Sequence, residues 1–129
     1  MAIGANLRTF LLADSGIAAA VESRVYPIRL PQAPGMPAVT YFKVSGLRHY
    51  GTAGPEGLSR PRIQIDCWAR TYAAALSVAE LVRQRLEGYS GAMGSATIQG
   101  VFFENEQEFF EAEPELYRVS RDYMVFFEE

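Results

Sequence analysis

The stretch RIQIDCWAR, residues 62–70, constrains the fold more than any other part of the chain, because apolar and polar side chains alternate along it. Successive side chains of a β-strand point to opposite faces, so the pattern predicts a strand with one core face and one polar face. The apolar row is Ile63, Ile65 and Cys67. The other row is Arg62, Gln64, Asp66, Trp68 and Arg70. This second row predicts a surface used for catalysis, for a ligand or for another protein.

A helix is predicted directly after this strand, in TYAAALSVAELVRQRLEG. Thr71 is placed to cap its first turn, and Gly88 is placed to end it in a left-handed conformation. A stripe of apolar side chains recurs at helical spacing, which is typical of a helix packed on a core. The members of the stripe are Ala75, Ala79, Val82 and Leu86.

The remaining patterns predict an α+β protein with an antiparallel sheet of about four to five strands and two helices packed on one face. An interrupted helical segment opens the chain, and a short strand around Tyr26 leads into a proline-rich connector. The glycine-rich residues 47–59 are predicted to form a long loop between strands. Further strands are predicted in residues 38–46, 96–106 and 115–129. At 129 residues, the chain is expected to be a single domain, residues 1–129.

Charge is divided unevenly along the chain. Residues 104–129 carry a net charge of −7, whereas the first 103 residues carry +4. Such a division is typical either of a solvated acidic edge or of head-to-tail association between identical subunits. It argues against nucleic acid as the main partner.

The sequence offers little for catalysis or metal binding. The one histidine, His49, lies in the predicted loop, and the one cysteine, Cys67, points to the core side of its strand. One His and one Cys are too few for a structural zinc site, and no phosphate-binding lysine motif follows the glycines. Glu104, Glu106 and Glu108 alternate on one predicted strand face, which is more typical of a solvated edge than of an acid–base pair. We therefore expect no enzyme activity, metal or cofactor, and no signal peptide or membrane span.

Seven segments in order resemble the tail-completion, or tail-terminator, family of long-tailed bacteriophages and of phage-derived gene transfer agents. They are LRTFLLADSGIAAAV, RVYPIRLPQ, PAVTYFKVSG, GTAGPEGLSR, RIQIDCWA, the helix after it, and LYRVSRDYMVFF. The resemblance spans nearly the whole chain, and its most specific element is RIQIDCWA with a helix directly after it.

The resemblance implies a virion protein in the neck region of the tail, assembled in the host bacterial cytoplasm. It implies a ring of six subunits that caps the head-proximal end of the tail tube, stops tube polymerisation and joins tail to head. The partners implied are other copies of the chain, the tail tube protein and the head–tail connector or stopper, with DNA only passing through the ring lumen. Another neck protein of the same particle and a small α+β enzyme are the alternatives.

The family has no catalytic residues to transfer, so the interface residues come from the patterns above. Arg121 occupies an apolar row of the last strand, which indicates either a sheet edge or a charge pair. The loop is expected to dock through its polar side chains. The predicted subunit or tube interface comprises Gln64, Asp66, Trp68, Arg70, Arg48, His49, Tyr50, Arg121, Glu104 and Glu106.

Overall fold

The computed structural model describes residues 3–45, 48–51 and 54–128. They form an α+β arrangement in which two helices precede five strands, and a third helix precedes the last three strands. The helices are α1 (Ile3–Leu12), α2 (Ser15–Val21) and α3 (Tyr72–Leu86). The strands are β1 (Val25–Pro27), β2 (Ala38–Ser45), β3 (Arg48–Gly51), β4 (Gly54–Ser59), β5 (Arg62–Ala69), β6 (Gly91–Met93), β7 (Ala96–Glu111) and β8 (Leu116–Glu128).

One sheet contains all of these strands, in the order β1-β2-β5-β8-β4-β3, and β8 also pairs with β7. The β7–β8 hairpin is paired from Thr97↔Glu128 to Glu111↔Leu116. The edge of β8 that faces away from β7 pairs with β5 and, further along, with β4. β6 pairs only with the first residues of β7. All neighbours are antiparallel except β1 and β2, which run parallel.

The predicted core face of β5 is confirmed. Ile63, Ile65 and Cys67 are buried in one cluster with side chains of all three helices. The predicted caps of α3 are also confirmed, because the Thr71 side chain accepts from the Ala74 N–H and Gly88 has a positive φ of 80°. The opposite face of β5 therefore carries none of the described helices. We call this face, together with its neighbours on β2, β7 and β8, the open face.

The predicted count of about four to five strands and two helices is roughly right but not exact, because β3, β4 and β6 are additional strands and the interrupted N-terminal segment is two helices. Residues 47–59 were expected to be a loop, but their described part forms the β3–β4 hairpin, which joins the sheet where Leu58 and Ser59 pair with the end of β8. Glycine and proline disfavour strands locally, and tertiary pairing overrides that preference here. The N-terminal segment forms two helices because Asp14 caps α2 by accepting from the Ile17 N–H.

Cys67 is buried between the sheet and the helices, and burial, with a smaller contribution from Asp66, raises the pKa of its thiol to about 12. The thiolate is the nucleophile, so the folded protein is expected to resist labelling by a thiol reagent at pH 8 and to label fully once unfolded in guanidinium. With an aromatic disulfide as the reagent, the absorbance of the aromatic thiol that it releases measures the extent of labelling. Rapid labelling without denaturant would contradict the buried placement.

Ile28 follows β1 with a positive φ of 71°, and its side chain is 73% exposed. A β-branched residue is strained in this conformation, whereas glycine is not. Ile28→Gly is therefore expected to raise the free energy of unfolding by about 1 kcal/mol, since little burial is lost. Ile28→Val keeps the strain and serves as the control in urea unfolding. A glycine variant no more stable than the valine variant would show that the strain is absent.

Candidate functional site

The centre of the open face is a hydrogen-bonded network around Asp66, whose side chain is almost fully buried. The Gln64 Nε2 donates to Asp66 Oδ1 at 3.0 Å, and the Arg118 Nη1 donates to Asp66 Oδ2 at 3.3 Å. The indole N–H of Trp68 donates to Thr40 Oγ1 on β2 at 2.9 Å. These bonds hold Gln64 and Trp68 in fixed, half-buried positions on the surface.

Arg118 joins this network to the tip of the β7–β8 hairpin. Its guanidinium carbon lies 4.2 Å from the centroid of the Phe109 ring and 5.3 Å from that of Trp68. Its Nη2 also pairs with Glu111 at 3.0 Å. Charge and ring contacts on several sides fix the side chain, so Trp68, Arg118 and Phe109 form a rigid strip.

A second charged group lies further along the open face, around Arg62. The Nη1 of Arg62 lies 3.4 Å from Asp122 Oδ2, and its Nη2 lies 3.5 Å from Glu104 Oε1. Burial raises the pKa of the Asp122 carboxyl, and the charge of Arg62 opposes that shift. The pair is therefore partly screened from water.

An apolar patch completes the open face beyond Arg62. Phe102 is 54% exposed and meets the Phe126 ring edge to face at 5.5 Å. Met124 lies opposite Phe102 in the β7–β8 register. Phe102 is not among the predicted interface residues, although the alternation of VFFENE puts its side chain on the face opposite to that of the buried Val101.

Arg121 lies on the helix-covered face, not on the open face. It is nearly fully buried, with Nε donating to Glu106 Oε1 at 2.7 Å and Nη2 donating to Glu80 Oε1 on α3 at 2.9 Å. Its Nη1 donates to the carbonyl of Ala79 at 3.2 Å. Of the two alternatives left by the sequence, the charge pair is confirmed.

The expectation that Glu104, Glu106 and Glu108 share one face is wrong for Glu104. The β7–β8 register shifts between Phe103 and Asn105, which is the signature of a β-bulge. Glu104 therefore reaches Arg62 on the open face, whereas Glu106 reaches Arg121 beside α3.

The other predicted interface residues lie at the ends of the sheet. Arg70 is exposed and borders a groove of about 400 Å³ between the proline-rich connector and the hairpin tip, with Met36 and Leu116 in its wall. The backbone of Arg48, His49 and Tyr50 forms β3. Their side chains lie outside the described part of the chain, so their predicted contacts stay predictions.

No three His, Cys, Asp or Glu side chains come together as a metal site within residues 3–45, 48–51 and 54–128. No helix in that part of the chain is long and apolar enough to cross a membrane. What the described fold presents is a helix-backed sheet with a surface of fixed aromatic and charged side chains, which is typical of proteins that bind other proteins.

Residues 5–128 match the family described as tail completion protein gp17, and the chain belongs to this family. It is thus a virion structural protein of the phage-tail class, and the resemblance drawn from the sequence is confirmed. A similar fold occurs in a structure titled "Virion of native gene transfer agent (GTA) particle", with a TM-score of 0.80 and 19% identity. The alignment covers 97% of this chain and 93% of that one. A comparison with curated proteins found no match.

Proposed function

We propose that the protein assembles as a ring of six subunits that caps the head-proximal end of the tail tube, ends tube polymerisation and joins the tail to the head. The observation that carries the proposal is the open face. Its exposed side chains are held in place by bonds within the chain, so little conformational entropy is lost on binding. Membership of the tail completion family supports a role in finishing the tail.

The composition of the open face supports protein contact and not solvent contact. Aromatic side chains and arginine are enriched at protein interfaces, and here the rigid strip of Trp68, Arg118 and Phe109 combines both. Phe102 adds an exposed aromatic anchor at the other end. We assign the open face to the contact with the tube protein or the neighbouring subunit.

The division of charge supports a closed ring. A cyclic assembly uses two different, complementary patches on each subunit, so that each copy contacts the next head to tail. The acidic hairpin and the mildly basic remainder provide such patches. On this proposal, the head connector or stopper meets the other side of the ring, and DNA passes through its lumen.

The test is negative-stain electron microscopy of the purified protein, alone and mixed with tubes assembled from the cognate tube protein. Six-fold rings, or caps on tube ends with shorter tubes than in a sample without the protein, are expected. Rings of twelve would point to a connector instead. Monomers that leave tube growth unchanged would overturn the proposal.

A further inference from the structure

Within the described residues, the β7 strand has a row of backbone groups without a partner strand. The Val125 N–H donates to the Pro61 carbonyl, so odd-numbered residues of β8 turn their backbone groups toward β5. The backbone groups of even-numbered β8 residues therefore bond to β7. Gln107 lies opposite Ser120 and Phe109 lies opposite Arg118, so these two β7 residues turn their backbone groups toward β8. The N–H and C=O groups of Glu106, Glu108 and Phe110 consequently point away from the sheet.

This edge is open in the described part of the chain. β6 reaches only to Ile98 of β7, and residues 104–110 of β7 are exposed on both faces. The other long edge of the sheet is closed at β1 by contrast. The Val25 carbonyl accepts from Arg8 Nε, the Val25 N–H donates to the Ser23 carbonyl, and Pro27 has no N–H.

The charges on β7 select the kind of strand that fits. Pairing of two β7 strands about a two-fold axis at Glu108 places two Glu108 side chains directly opposite each other, and like charges in that position are destabilising. A different edge of a second copy avoids this clash. Two described strands pair with one neighbour and offer such an edge, β3 and β6. The Ala92 carbonyl of β6 already accepts from the Tyr89 hydroxyl, and the sequence GAM carries no charge. β3 has the sequence RHYG, with a basic residue and no acidic one, and is the better match.

We propose that the subunits join by strand addition, with residues 106–110 of β7 in one copy pairing with β3 of the next. This inference rests on the proposed ring and names the contact that closes it. Heterologous pairing of two different edges generates a ring when the rotation between subunits closes, and it does not generate a two-fold dimer. Backbone hydrogen bonds between the two strands supply the affinity, and the acidic side chains of β7 disfavour an acidic partner strand.

Glu108→Pro tests the pairing, because it removes an outward N–H and leaves the ladder to β8 intact. Glu108→Thr is the matched control. It loses the same carboxylate and the same hydrogen bond from the Tyr72 hydroxyl, but it keeps the N–H. We expect the ring fraction of the proline variant to fall about tenfold below that of the threonine variant, with similar thermal midpoints.

The outcomes separate this inference from the proposed function. If both variants form rings as the unmodified protein does, β7 is not the joining edge, but the ring stands. If the unmodified protein forms no rings and leaves tube growth unchanged, the proposed function fails and the inference with it.

A disulfide crosslink tests the same strand pairing without depending on whether the proline variant folds. Glu108→Cys is combined with His49→Cys or, separately, with Tyr50→Cys, since adjacent strand positions point to opposite faces and one of them shares the face of Glu108. Oxidation is expected to give a ladder of linked subunits up to six, while buried Cys67 stays unreactive. Monomers alone from both pairs, under conditions that form rings, would overturn the strand pairing.

Discussion

Replacing Arg121 with alanine is expected to lower the free energy of unfolding by about 3 kcal/mol. The guanidinium is buried beneath α3 and donates to Glu106, Glu80 and the Ala79 carbonyl. Its removal breaks these hydrogen bonds and opens a cavity, and breaking a buried pair costs about 3 to 5 kcal/mol. The lower end applies because the side chains of Glu80 and Glu106 are 39% and 36% exposed and partly hydrate. Urea unfolding measures the change.

Arg83→Ala is the matched control, since Arg83 also pairs with Glu80 but does so at the surface. Exposed pairs contribute little, so this variant should unfold close to the unmodified protein. An Arg121 variant as stable as the Arg83 variant would contradict the central role of the buried pair.

The pH dependence of stability gives a second readout of the Arg121 pair. The hydrogen bond from Arg121 lowers the pKa of the Glu80 carboxyl. Its stabilising contribution is therefore present above the ordinary carboxyl pKa and is lost as pH falls through the lowered one. Asp122 acts in the opposite sense, because burial raises its pKa and its contribution favours folding at acid pH. Arg121→Ala should remove the Glu80 contribution and flatten the acid limb of the stability curve.

Replacing Phe102 with lysine is expected to weaken assembly on tube ends at least about 30-fold, with the fold retained. The side chain is more than half exposed, so its loss removes little core packing. An aromatic anchor buried at an interface is worth about 2 kcal/mol or more, which corresponds to that factor. Titration of capped tube ends against protein concentration measures the effect.

Gln84→Lys is the control for Phe102→Lys, because it adds the same charge at an exposed position of α3, on the other side of the sheet. Its capping curve should match that of the unmodified protein. Equal capping by both variants would show that the apolar end of the open face takes no part in assembly.

The elements that the sequence predicted best are those whose local pattern and tertiary environment agree. The alternation of β5 and the capped helix α3 are examples, since Thr71 and Gly88 act as their local chemistry indicates. The β3–β4 hairpin was missed because its glycines and proline favour a loop. Its strands depend on pairing with the end of β8, far away in the sequence.

The predicted interface residues lie on both the open face and the helix-covered face, and this division also depends on structure that no local pattern shows. Period-two reasoning holds only in an uninterrupted strand, and the bulge after Phe103 shifts the register of β7. Arg121 was recognised as anomalous, but its partner Glu80 lies on α3, and no local pattern connects them. Phe102 differs from both cases, because the alternation of VFFENE alone is enough to predict its place on the open face.

The bulge after Phe103 also determines where the hairpin tolerates changes in length. Deleting the extra residue there would give straight pairing and keep Glu106 opposite Arg121, because the bulge sets two residues of β7 against one of β8. Adding residues in the turn at 112–115 shifts no paired residue, because the ladder ends at Glu111 and Leu116. An epitope tag inserted in that turn would thus leave the frame of both strands unchanged and mark the hairpin tip in micrographs of assembled particles.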